Sequence, residues 1–291
     1  MKRVLTILAL ILALAAQCAH DHMALRDNPP DRVYRIDVLR VRDPRLPDLT
    51  DAQFTDMLDR LRGHVREYLG YRVEFTLLPQ IDILEFKKAN RHLNDTAGMR
   101  ELRADLLDIG SESDRARLRS FIDTLVEKTG EDILRSYVPS YRARPDRAAF
   151  AARLYADYVG KLAAIQSIRT GDGTALAGGE YADTLTYPFW EMALRRLPKG
   201  HFVFTNTIMA DAEVNIPIYV ALRYGVTTGM VTGNASNSFR AAGVMFLYPF
   251  LSGDAFFARE RKEPIPDILL TDVIALYSTH EMGHFLSHFK D

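Results

Sequence analysis

The sequence predicts an α+β fold, a mixed twisted β-sheet with helices packed on it and a helical insertion, and three observations point there. The first is a β-α-β opening. Residues 33–41, VYRIDVLRV, are rich in β-branched side chains and read as a strand. Thr50 and Gln53 then have capping-box spacing, and Phe54, Met57, Leu58, Leu61, Val65, Tyr68 and Leu69 recur at three- and four-residue steps until Gly70. YRVEFTLL, residues 71–78, alternates as a second strand. The second observation is a change of character from about Phe86 to Thr170, where charged, helical segments dominate and read as an insertion or subdomain. The third is a return of strand composition in HFVFTNTIM (201–209), IPIYVALRYG (216–225) and GVMFLYPFL (243–251).

Within the insertion, a helix opens at Ser111 with an acidic residue three positions on, and it carries Leu118, Phe121, Ile122 and Leu125. Another follows Pro145 and uses Phe150, Leu154, Tyr158, Leu162 and Ile165. RTGDGTALAGGE, residues 169–180, reads as a mobile loop. It lacks the Gly-Lys-Ser/Thr ending of a phosphate-binding loop, so it gives no nucleotide site. Asp172, Glu180 and Asp183 read as a solvated acidic loop rather than a calcium site. Tyr187, Phe189 and Trp190 read as core. VTTGMVTGNASNS (226–238) suits an exposed edge or a loop, and after Pro264 and Pro266 a last helix is expected from about Thr271.

Composition narrows the function. The 291 residues carry 37 Lys plus Arg against 38 Asp plus Glu, so no basic field is available for nucleic acid. MKRVLTILALILALAAQCAH places Lys2 and Arg3 before a short apolar run, which reads as an export signal over residues 1–18. Cys18, the one cysteine, stands where a lipoprotein carries its acylated cysteine, with Gln17 where a small residue is expected. A lipid-anchored product, attached to a membrane through Cys18, and a plainly secreted or periplasmic one both remain open. A polar linker occupies residues 19–31, and residues 32–291 form the exported domain, without an internal disulfide.

The chemistry concentrates in STHEMGHFLSHFKD, residues 278–291. On a helix, His280 and His284 lie just over one turn apart, so both imidazoles can converge on one cation. Neutral imidazoles at this spacing suit Zn²⁺, which lowers the pKa of a water it holds to about 7. Glu281, one step round, is placed to act as general base. Gly283 leaves room for the helix against the sheet.

HEMGH, residues 280–284, resembles the HExxH motif of the zincin peptidases, and the order of elements is similar to the metzincin-like branch. That resemblance implies a zincin-like fold, with a twisted mixed sheet over an HExxH helix, Zn²⁺ as cofactor, and a peptide or protein as substrate. It also implies His280 and His284 as metal ligands and Glu281 as the catalytic base. The branch continues as HExxHxxGxxH or HExxHxxGxxD. Here Ser287 stands at the Gly position and Lys290 at the ligand position. The third ligand is therefore expected from His288, from Asp291, or from beyond the chain end in a C-terminally truncated metallopeptidase. His288 would serve only if the helix broke after His284, because a continuous helix carries it about 12 Å from His280. The competing reading is an exported or lipid-anchored binding or structural domain on an inactive zincin-like scaffold.

Overall fold

The computed structural model describes residues 33–90, 110–176, 179–185, 187–198, 200–209, 229–232, 242–252 and 265–287. The expected signal, linker and Cys18, the 216–225 strand, and His288 and Asp291 lie outside them. In chain order the elements are β1 (Val33–Arg42), α1 (Asp51–His64), β2 (Arg72–Leu77), β3 (Ile81–Asp82), α2 (Ile83–Ala89), α3 (Glu112–Lys128), α4 (Glu131–Tyr137), α5 (Pro139–Ala143) and α6 (Arg147–Ser167). They continue with α7 (Tyr187–Arg196), β4 (His201–Thr205), β5 (Gly229–Thr232), β6 (Ala242–Phe246), α8 (Tyr248–Leu251) and α9 (Asp267–Ser287).

The sheet order is β2-β1-β4-β6-β5, with β3 pairing the end of β1. Every pairing is parallel except that of β5 with β6. The result is a mixed, mainly parallel sheet covered by helices, consistent with the expected α+β class. Parallel strands buried on both faces need near-continuous apolar sequence. FVF of β4 and the whole of β6 supply it.

The opening behaves as its sequence reads. The Thr50 side chain caps Gln53 N–H while Gln53 reaches back to Thr50 N–H, and the helix buries Phe54, Met57, Leu58 and Leu61. Its last turn widens into a π-helical stretch, Val65–Leu69, and Gly70 ends it at φ 76°, a left-handed conformation that glycine adopts without strain. Alternate side chains then divide between two cores. Tyr34, Ile36, Val38, Phe202, Phe204 and Met245 face α1 and α9. Val41, Val203, Val244 and Phe246 face α2 and α7, where Trp190 is fully buried against Phe86, Phe189 and Phe246. The indole N–H donates to Thr184 O at 2.7 Å, so this large side chain leaves no buried donor unpaired.

The helical middle has a core of its own, built from Leu118, Ile122, Leu134, Tyr141, Leu154 and Tyr158 among others. Ser111 caps α3 through Asp114 N–H, as its sequence predicts. One expectation is corrected. GVMFLYPFL stops being a strand at Phe246 and turns into α8, because Pro249 has no N–H for the ladder and its fixed φ suits a first helical turn. In the 169–180 stretch, RTGDGTA forms a tight turn closed by an Arg169–Ala175 bridge, with Gly173 at φ 85°.

In that turn the Asp172 carboxylate accepts from the Thr170 hydroxyl and from Thr174 N–H at 3.0 Å. These bonds, the Thr170 bond foremost, with Arg45 adding a smaller attraction, hold its pKa down from 3.8 to about 2. A depressed carboxylate stabilises the fold fully above its ordinary pKa and ceases to do so as pH falls through its folded one. The Asp172 carboxyl should therefore titrate by NMR with a midpoint near 2, and a midpoint near 3.8 would show that the turn does not hold it.

Between β1 and α1 runs a buried ionic strap. The Arg40 guanidinium, 7% exposed, meets Asp48, itself 7% exposed, at 3.1 Å and Asp51 at 2.7 Å, and it lies over the Phe54 ring. Removing one member of a buried pair strands the other charge. Arg40→Met should cost about 3 kcal/mol in urea unfolding, and a loss well under 1 kcal/mol would mean that Arg42, the second partner of Asp48, suffices alone.

Candidate metal site on the last helix

Helix α9 owes its position to an apolar face. Ile274, Ala275, Met282, Phe285 and Leu286 are fully buried in the core shared with α1, and Phe285 meets Phe202 of β4 edge to face at 5.7 Å. Ser278 and Thr279 sit on the same buried face. Their hydroxyls donate to Ile274 O and Ala275 O, each at 2.8 Å, so that polar groups enter the core already paired. Residues 271, 274, 275, 278, 279, 282, 285 and 286 thus face inward, and His280, Glu281 and His284 remain partly exposed on the neighbouring face.

The two imidazoles lie side by side, with ring centroids 4.9 Å apart and planes at 85°. Two imidazoles each about 2 Å from one zinc, at a tetrahedral angle, would have centroids about 5 Å apart. The pair therefore fits a shared cation. Among the described residues no group of three or more His, Cys, Asp or Glu side chains is gathered to hold a metal. His288 and Asp291, the two in-chain candidates for a third ligand, lie outside those residues. Comparison with protein-family models, with curated proteins and with solved structures found no match.

Other features bound the site. Tyr277, one turn before His280, packs on Phe250 at 5.1 Å, and burial pushes its phenol pKa up. Strand β5, at the sheet edge, packs beside α9. The crevice beyond the carboxyl ends of β1 and β4, where strand order reverses, is a common ligand position in parallel sheets. Here it is filled. Asn206 donates to Asp43 O at 2.8 Å and accepts from Asp43 N–H at 2.7 Å, while Leu46, Ile208, Leu176 and Tyr248 close over that end. In the acidic loop, Asp172 Oδ1 is committed to its own turn.

Sequence reading missed the polar partners of α9. His64 Nε2 lies 3.0 Å from Asp272 Oδ1, and Thr271 donates its hydroxyl to Asp56 at 2.6 Å. The four-residue spacing of Asp56, Arg60 and His64 marks a polar stripe on α1, but nothing local names what faces it.

Gly283 is placed differently from expectation. Its neighbour is Leu69, in the π-helical turn after α1, and not a strand. A Cβ there would stand 3.8 Å from the Leu69 methyls, an ordinary contact. Glycine in a helix interior costs about 1 kcal/mol relative to alanine. Gly283→Ala should therefore raise the melting temperature by an amount corresponding to about 0.5–1 kcal/mol, and a fall would show that the helix cannot accept the extra methyl.

Proposed function

We propose that the chain is a zinc-dependent metallopeptidase of zincin-like fold that hydrolyses peptide bonds outside the cytoplasm. The observation that carries this reading is the His280–His284 ring pair, 4.9 Å apart on the partly exposed face of a helix, with Glu281 between them in sequence. A mixed sheet packed on that helix supports it, because this is the arrangement that the resemblance to zincins implies. The export signal read in residues 1–18 supports the compartment, with Cys18 as the point of attachment if the product is lipid-anchored.

In this reading His280 and His284 would hold the ion as neutral imidazoles. Zinc, when bound, would supply a Lewis acid that polarises the scissile carbonyl and lowers the pKa of a water. Glu281 would take a proton from the attacking water and deliver it to the leaving amine, a service worth about 10²–10⁴ in rate. The buried face of α9 fixes the helix on which all three residues stand. Among the described residues β5, residues 229–232, ends the sheet, and an extended peptide could lie along it as one more strand.

Glu281→Gln should lower peptide hydrolysis about 10²–10⁴-fold with one zinc still bound per chain, while His280→Ala should lose the zinc. A wild-type rate in Glu281→Gln would remove the carboxylate from the mechanism. Folded wild-type protein that takes up no Zn²⁺ would favour the exported binding domain on an inactive scaffold.

A further inference from the structure

Helices α1 and α9 touch along a seam whose contacts rise in number together on both sides. Asp56 meets Thr271 at 2.6 Å, His64 meets Asp272 at 3.0 Å, and Leu69 lies against Gly283. The helices therefore run in the same direction, and the seam leads from the start of α9 into HEMGH. On α1 the polar members Asp56, Arg60 and His64 stand at four-residue steps on one stripe, and Tyr68 of the π-helical turn follows it. The His64 side chain is 15% exposed, with its ring stacked on Tyr68 at 5.5 Å, and Asp272 also receives Arg60 at 3.4 Å.

The apolar face of α9 sets which side of the helix is turned inward. Hydrogen bonds, with their narrower geometry, can add the fine setting of its rotation and register. One residue of a helix corresponds to about 100° of rotation. A small turn of α9 would swing His280, Glu281 and His284 together relative to the rest of the protein while leaving much of its apolar area covered.

We infer that His64 and Asp272 form a positioning clasp that sets the rotation and register of α9, and with it the direction in which His280 and His284 point. This rests on the zinc reading of HEMGH. Neither residue touches the reacting groups; both act through the helix.

The test uses the full chain, with Zn²⁺ affinity read by competition against a chromophoric chelator and with Co²⁺ absorption as the spectroscopic report. His64→Ala and Asp272→Ala should each weaken zinc binding and shift the Co²⁺ bands, and the double variant should lose no more than either single one. His64→Gln, whose amide can still donate to Asp272, should stay near wild type, with far-UV circular dichroism showing all variants folded. Wild-type zinc affinity in Asp272→Ala, or losses that add in the double variant, would overturn the clasp. If the wild-type chain binds no Zn²⁺, the metal reading fails separately, and metal-free amide exchange at residues 280–286 decides the clasp. Exchange accelerated there in both alanine variants but not in His64→Gln supports it; unchanged exchange overturns it.

Discussion

The burial of one face of α9 against α1 and the sheet is the constraint on which the rest depends. Phe202 and Phe204 project from β4 into the space between these helices, where Phe204 meets Phe54 at 5.5 Å and Phe202 meets Phe285 at 5.7 Å. Aromatic pairs in this edge-to-face arrangement add a directional term to the area they bury. Without α9 that face of β4 and β6 would be open to water. Because the buried positions of α9 repeat at three and four residues, the same packing leaves a neighbouring stripe at the surface. His280, Glu281 and His284 occupy it.

The second core has a different task. Trp190, Phe189 and Phe86 cover the opposite face, and the Asp43–Asn206 pair with its apolar surround seals the carboxyl ends of β1 and β4. HEMGH stands on α9, a long helix that packs beside β5 and whose His280, Glu281 and His284 are partly exposed. Polar straps hold the layers in register. Arg40 with Asp48 ties the sheet to the approach of α1, and the polar stripe of α1 ties that helix to α9.

Much of this was legible locally. The Thr50–Gln53 box, the Ser111 cap, the stop at Gly70 and the core placement of Phe189 and Trp190 each depend on residues close in sequence or on side-chain type, so a linear reading finds them. The spacing of His280 and His284 is of the same kind, because a helix converts four residues into one shared face. The role of Arg40 was not legible: alternation puts it on the same face as Tyr34, Ile36 and Val38, and only the return of Asp48 beneath it makes the burial of its charge tolerable. The helical end of GVMFLYPFL was missed for a different reason, since aromatic and β-branched composition favours a strand until Pro249 removes the ladder donor.

What the sequence by itself determined is the β-α-β opening, the helical character of the middle, and a helix bearing two histidines and a glutamate in ligand-and-base spacing. These follow from periodicities of two and 3.6 residues and from caps, which are properties of short stretches. The tertiary structure alone decided that β5 lies antiparallel at the edge, that α9 runs alongside α1, and that His64 stands opposite Asp272, 208 residues away. Such pairings depend on which apolar faces find one another when the chain closes, and no local interval of sequence carries that information.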